Sequence, residues 1–204
     1  MMKTLSTLAS LTLLAASSQA AILGLDLQGL GGYGLKTSNQ VPAVSGSASG
    51  GEIGDGIYYN TETNILYINF AWGSAFGFND LSSEIDTSIA GGLHIHALAG
   101  FDETANVAYQ LFEDGPSDNG SFVRVDNGLS GSFSGSIVLD DKKEANLLNG
   151  LYYINLHTLN NPSGEIRGNI VWGPNVPEPS TYAAIAGLLT LGAVAYARRR
   201  QRQS

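Results

Sequence analysis

The 204-residue chain holds three histidines, at positions 94, 96 and 157, and each falls in a segment that alternates with period two. In Gly92-Leu93-His94-Ile95-His96 an extended backbone sends both imidazoles to one face, about 6.5–7 Å apart, and Leu93 and Ile95 to the other. Tyr153-Ile154-Asn155-Leu156-His157 repeats the arrangement, with Asn155 and His157 opposite two aliphatic residues. Glu165-Ile166-Arg167-Gly168-Asn169-Ile170 repeats it again, presenting Glu165, Arg167 and Asn169. Two chemistries fit such a face. His94, His96 and His157 supply three nitrogens for Zn²⁺ or Cu²⁺, with Glu165 as a fourth ligand or as an acceptor behind the ligands. Alternatively these groups, with Asn155, form a hydrogen-bonded network that needs no cofactor, Arg167 pairing with Glu165 or a nearby carboxylate and the imidazoles donating to backbone carbonyls.

A third use of an exposed face is recognition of a partner or a glycan, for which Tyr58, Tyr59, Tyr152 and Tyr153 are the aromatic candidates. Catalysis has less support. Cysteine is absent, which removes thiol chemistry and thiolate metal sites, and no serine sits in a Gly-x-Ser-x-Gly turn. Asp140-Asp141 and Asp102-Glu103 read as solvated loop ends or at most weak Ca²⁺ ligands. The Gly-rich stretches do not link a strand to a helix as a phosphate cradle requires. The expectation is a module that is not an enzyme.

The elements that must position the polar face are strands. Asn64 to Trp72 alternates Leu66, Ile68, Phe70 and Trp72 against Ile65, Tyr67, Asn69 and Ala71. Ala105 to Phe112, Gly131 to Leu139, Leu151 to His157 and Gly164 to Trp172 also read as strands, punctuated by Gly, Asp, Asn and Pro. One helix is expected over Lys142 to Asn149, capped by Asp140 or Asp141 and stopped by Gly150. Gly24 to Gly34 and Val44 to Gly51 lack periodicity and read as lead-in and loop, and Phe76 to Gly92 reads as a long surface loop. The fold class expected is all-β, an antiparallel β-sandwich of Ig-like or Greek-key type.

Both ends carry processing signals. Lys3, the apolar run Leu5 to Ala16 and Ser18-Gln19-Ala20 describe a signal helix cut after Ala20 by signal peptidase. Val176-Pro177-Glu178-Pro179-Ser180-Thr181 precedes an uncharged run over 182–197 and a basic tail over 198–204. Sixteen helical residues rise roughly 24 Å, enough to span a slightly thinned bilayer as a transmembrane helix. Four arginines after it hold the C-terminus in the cytoplasm and leave the preceding domain outside. Between the processing segments, residues 21 to 176 carry five basic and seventeen acidic side chains, net −12 with the histidines neutral. That balance excludes nucleic acid as a partner and disfavours anionic lipid. The division expected is 1–20 signal peptide, 21–39 lead-in, 40–173 domain and 174–204 sorting tail.

The tail, with Pro177, Glu178 and Pro179 ahead of a short apolar helix and an arginine cluster, resembles the PEP-CTERM sorting signal of Gram-negative bacteria. The resemblance implies an exosortase as processing partner, transient anchoring in the membrane, and display or release at the cell surface in an exopolysaccharide matrix. Prolines at 177 and 179 keep that motif extended and outside the following helix, as a protease substrate requires.

His94-Ile95-His96-Ala97-Leu98-Ala99-Gly100, the lead Val41 to Gly50, and the run Leu151 to Ile170 with Asn155, His157, Thr158, Asn161, Pro162 and Gly164 to Gly168 resemble the CHRD domain, named after chordin. The resemblance spans about Gln40 to Trp172. It departs at Ala97-Leu98, where the family usually has Gly-Pro, and at Asn169, where it often has Gln. It implies an extracellular module and says more about fold and compartment than about mechanism; the function expected is that of an exported binding or structural module, with a surface protein as one candidate partner and, from the matrix setting of the tail alone, an exopolysaccharide as another.

Overall fold

The computed structural model describes residues 21–89, 91–111 and 122–173. These contain the strands β1 (Ile22–Gly29), β2 (Gly32–Tyr33), β3 (Leu35–Lys36), β4 (Ser49–Asn60), β5 (Ile65–Trp72), β6 (Leu93–Ala97), β7 (Asn106–Gln110), β8 (Val123–Asp126), β9 (Gly131–Val138), β10 (Tyr152–Leu156) and β11 (Ile166–Trp172). One α-helix, α1 (Asp141–Leu148), lies between β9 and β10. The all-β expectation holds. Every strand pairing is antiparallel, and a single hydrogen-bonded path runs β7-β6-β10-β11-β1-β4-β5-β9-β8. Instead of two separate sheets, one sheet turns its apolar face inward, and its side chains merge into one cluster that includes Leu27, Ile57, Ile68, Phe133, Ile95, Ile154 and Ile166.

The alternation in residues 64 to 72 translates directly into β5, with Leu66, Ile68, Phe70 and Trp72 almost wholly buried. The helix also forms as its sequence dictates: the Asp140 carboxylate accepts from the Lys143 N–H, and Gly150, with φ of +70°, takes the left-handed conformation that ends it.

Two stretches depart from expectation. Gly24 to Gly34 is not a lead-in loop. Leu23, Leu25 and Leu27 point into the core from β1, which lies between β11 and β4. β3 resumes the same slot, since Gln28 pairs with Asn169 and Lys36 with Arg167 on β11. The seven residues between form a closed excursion pinned by the Gly34 N–H on the Leu27 carbonyl, 2.7 Å. Leu23, Leu25 and Leu27 alternate with Gly24, Asp26 and Gln28, so the period of two is present in β1; it spans only a few residues and ends where the Gly-rich excursion over 29–35 begins. Val44 to Gly51 likewise ends inside β4. The expected signal helix and transmembrane helix lie outside the described residues. Among the described residues no helix is long and apolar enough to cross a membrane.

Candidate metal centre

β6, β10 and β11 are neighbours, and their registers arrange the polar residues as a grid. His94 stands opposite Asn155, and Asn155 opposite Arg167; in the next row His96 stands opposite Tyr153, and Tyr153 opposite Asn169. His157 follows β10 on the same face, its N–H bonded to the Gly92 carbonyl at 2.8 Å. Leu93, Ile95, Ile154, Leu156, Ile166 and Ile170 occupy the other face and are fully buried. The alternation expected from the sequence is therefore correct.

The polar face, however, does not look at solvent. His94 is 0% exposed, Arg167 1%, Asn169 1%, Glu165 2%, Asn155 4%, His157 6% and His96 8%. Loops cover it, and the side chains hold those loops by their backbones. Arg167 donates to the carbonyls of Glu103 and Gly100, both at 2.7 Å, and to Asn169 Oδ1 at 3.1 Å. Asn169 donates to the carbonyls of Ala99 and Gly150, each at 3.0 Å. Gln40 donates to Asn155 Oδ1 at 2.6 Å. Gly164, with φ of +117°, leaves room for the Asn155 amide, into which a β-carbon would run.

Arg167 and Glu165 are not partners. Glu165 turns to the loop Phe76 to Gly92, where it accepts from the Ser82 N–H at 2.8 Å and hydroxyl at 2.9 Å, and from the Thr158 hydroxyl at 2.6 Å. Side chains two apart on an edge of the same grid diverge once separate loops offer each its complement. Arg167 instead lies over the Tyr153 ring, 3.6 Å from guanidinium carbon to ring centroid. Among the described residues no carboxylate lies within ion-pair distance of it. Burial pulls its pKa below the ordinary guanidinium range.

The three imidazoles converge. Ring centroids are 4.9 Å apart for His94 and His157, 5.6 Å for His94 and His96, and 5.9 Å for His96 and His157. One ring nitrogen from each lies within 4.8 Å of the others. His96 Nδ1 meets the Ala105 carbonyl at 2.9 Å and His157 Nδ1 meets the Pro162 carbonyl at 2.8 Å. A carbonyl only accepts, so both Nδ1 atoms carry the proton and both Nε2 atoms carry a lone pair. Those two Nε2 atoms are buried without a hydrogen-bond partner among the described residues. Burial pushes the His96 pKa down to about 4, against the Ala105 hydrogen bond, with the neighbouring His94, His157 and Arg167 adding to the fall. Burial lowers that of His157 as well. Both rings are neutral at physiological pH, the form a metal requires. Glu165, expected as a fourth ligand, stands outside the trio.

A family model of the CHRD domain matches residues 33–170, well over half of the chain. The chain belongs to the CHRD family. The CHRD match begins at Tyr33, at the end of β2, while the sheet itself begins earlier with β1. A second family model, the PEP-CTERM protein-sorting motif, matches residues 175–201. That motif fits an exported, cell-envelope-associated protein processed by an exosortase-type system. No curated protein and no solved structure matches the chain.

Some residues that build this face were not singled out from sequence for the part they play in it. Tyr153 is the centre of a stack, lying 4.8 Å from His96 with the rings 5° from parallel, its hydroxyl accepting from the Ala105 N–H at 3.2 Å. Its position two residues before Asn155 put it on the polar face, which was the available signal. Ser82 and Gln40 lie in irregular segments, and nothing local marks them. Of the four tyrosines considered for glycan contact, Tyr59, Tyr152 and Tyr153 are buried, and Tyr58 stacks on Tyr67 at 4.6 Å.

Proposed function

We propose that the CHRD domain of this exported chain is a metal-binding module of the cell surface, holding one ion on His94, His96 and His157. The observation that carries this reading is the pair of buried, unpartnered Nε2 atoms on His96 and His157, whose Nδ1 protons are spent on backbone carbonyls. A buried polar atom without a partner is costly, and a bound ion removes that cost; the Nδ1-to-carbonyl bond is the support a ligating imidazole ordinarily has. Nitrogens around a zinc or copper ion sit roughly 2.0–2.1 Å from it, so the ion draws the three rings together. The enclosed position of the trio favours holding an ion over catalysis, which needs substrate access.

The test is elemental analysis of the protein purified without a polyhistidine tag. The expected result is about one Zn or Cu per chain after loading and dialysis, lost on His96→Ala. Less than about 0.1 metal per chain under the same treatment overturns the reading.

A further inference from the structure

We propose that the ion this centre selects is monovalent copper, and that Arg167 is the residue that selects it. The inference rests on the three-histidine reading above and adds the charge and coordination number of the ion.

Three neutral imidazoles contribute no charge, so the loaded site carries the full charge of its ion in an enclosed setting. The solvation lost on burial grows with the square of that charge, which penalises a divalent ion far more than a monovalent one. The usual remedy is an anionic ligand, and none is among the three. Glu165 has committed both carboxylate oxygens to Ser82 and Thr158.

A fixed positive charge stands on the other side. β10 lies between β6 and β11, so Tyr153 separates His96 from Arg167 and contacts both, stacked on one ring and under the other residue's guanidinium. The guanidinium bonds to two carbonyls and an amide oxygen, all uncharged, and leaves its charge uncancelled. The carboxylates nearest in effect, Asp102 and Asp86 on the covering loops, are exposed and half-buried respectively, where water screens them. Repulsion between Arg167 and the bound ion scales with the ion's charge.

Coordination number points the same way. Zinc with three histidines takes a fourth ligand, commonly water, to complete a tetrahedron. A monovalent d¹⁰ copper ion is satisfied by three donors in a plane. The trio is covered by the loops that Arg167 and Asn169 hold down, and it offers three nitrogens.

The experiment uses the full chain purified without a tag. Cu(I) binding is measured anaerobically against a colorimetric Cu(I) chelator, Zn(II) binding against a zinc chelator, and the coordination number of bound copper by X-ray absorption. The expected result is one Cu(I) per chain with three nitrogen neighbours, held at least about a hundredfold more tightly than Zn(II). Arg167→Met narrows that ratio by about tenfold or more, and Arg167→Lys restores much of it. Zn(II) bound as tightly as Cu(I), or a four-coordinate copper, overturns the inference while leaving a three-histidine metal site standing. An unchanged ratio in folded Arg167→Met overturns the role of Arg167. Binding of neither metal overturns the three-histidine reading itself. Where Arg167→Met does not fold, the wild-type ratio and the coordination number decide.

Discussion

Two regions of the sheet, the edge strand β8 and the neighbouring strands β6, β10 and β11, treat their second faces differently. At β8 the alternate residues meet solvent: Val123 is 55% exposed and Val125 43%. Along β6, β10 and β11 nearly every residue is buried, apolar and polar alike. Strands buried on both faces are ordinarily continuous runs of Val, Ile and Leu. Here the second face is instead His, Asn, Glu and Arg, tolerated because loops bring a backbone or side-chain partner to nearly every polar atom. A domain keeps such a layer dry at a real energetic cost. Among the described residues the unpartnered acceptors of this layer, the Nε2 atoms of His96 and His157, therefore mark where a cation belongs, whereas Arg167 Nε, also unpartnered, is a donor.

Three measurements test the contrast. The largest effect is expected from Arg167→Met, which leaves the Gly100 and Glu103 carbonyls without their donor; at 1–3 kcal/mol for a buried group left unpaired, the loss is about 3 kcal/mol in denaturant unfolding. An unchanged unfolding midpoint would show that the loop 98–105 does not depend on the guanidinium.

Acid is next. In metal-free protein the unfolded His96 takes a proton near pH 6.5, while the folded ring resists until about 4. Unfolding therefore binds a proton in that window, and stability is lost as the pH falls from about 6.5 to about 4, with no further loss from this residue below. At pH 5 His96 alone accounts for about 2 kcal/mol, and His157 acts in the same direction. Unfolding midpoints measured with a chelator between pH 8 and pH 5 check this; a flat profile would mean that the rings are hydrated.

The smallest effect belongs to the open end. Val125→Thr at β8 is expected to change stability by less than about 0.5 kcal/mol. A loss as large as that of Arg167→Met would erase the difference between the two regions.

Much of the candidate site was legible in the sequence, for a simple reason. A period of two is enough to place His94, His96, Asn155, His157, Arg167 and Asn169 on one side of their strands, whatever else the chain does. The pairing of Arg167 with Glu165 was misjudged because proximity in sequence says nothing about which loop arrives over each residue. β1 was missed because its burial comes from neighbours on β11 and β4 that are distant in the chain.

Residues close together in the chain were enough for the strand alternation, for a helix cap at Asp140 or Asp141, of which the structure uses Asp140, and for the sorting motif, while the family was legible from short motifs spread between Val41 and Ile170. The tertiary structure alone decided that the polar face is an interior. Whether a side chain on a sheet meets water depends on loops from elsewhere in the chain, and here Ala105 and Pro162 meet the imidazoles while Gln40, Ser82 and Ala99 meet Asn155, Glu165 and Asn169, groups that local pattern could only place on a surface.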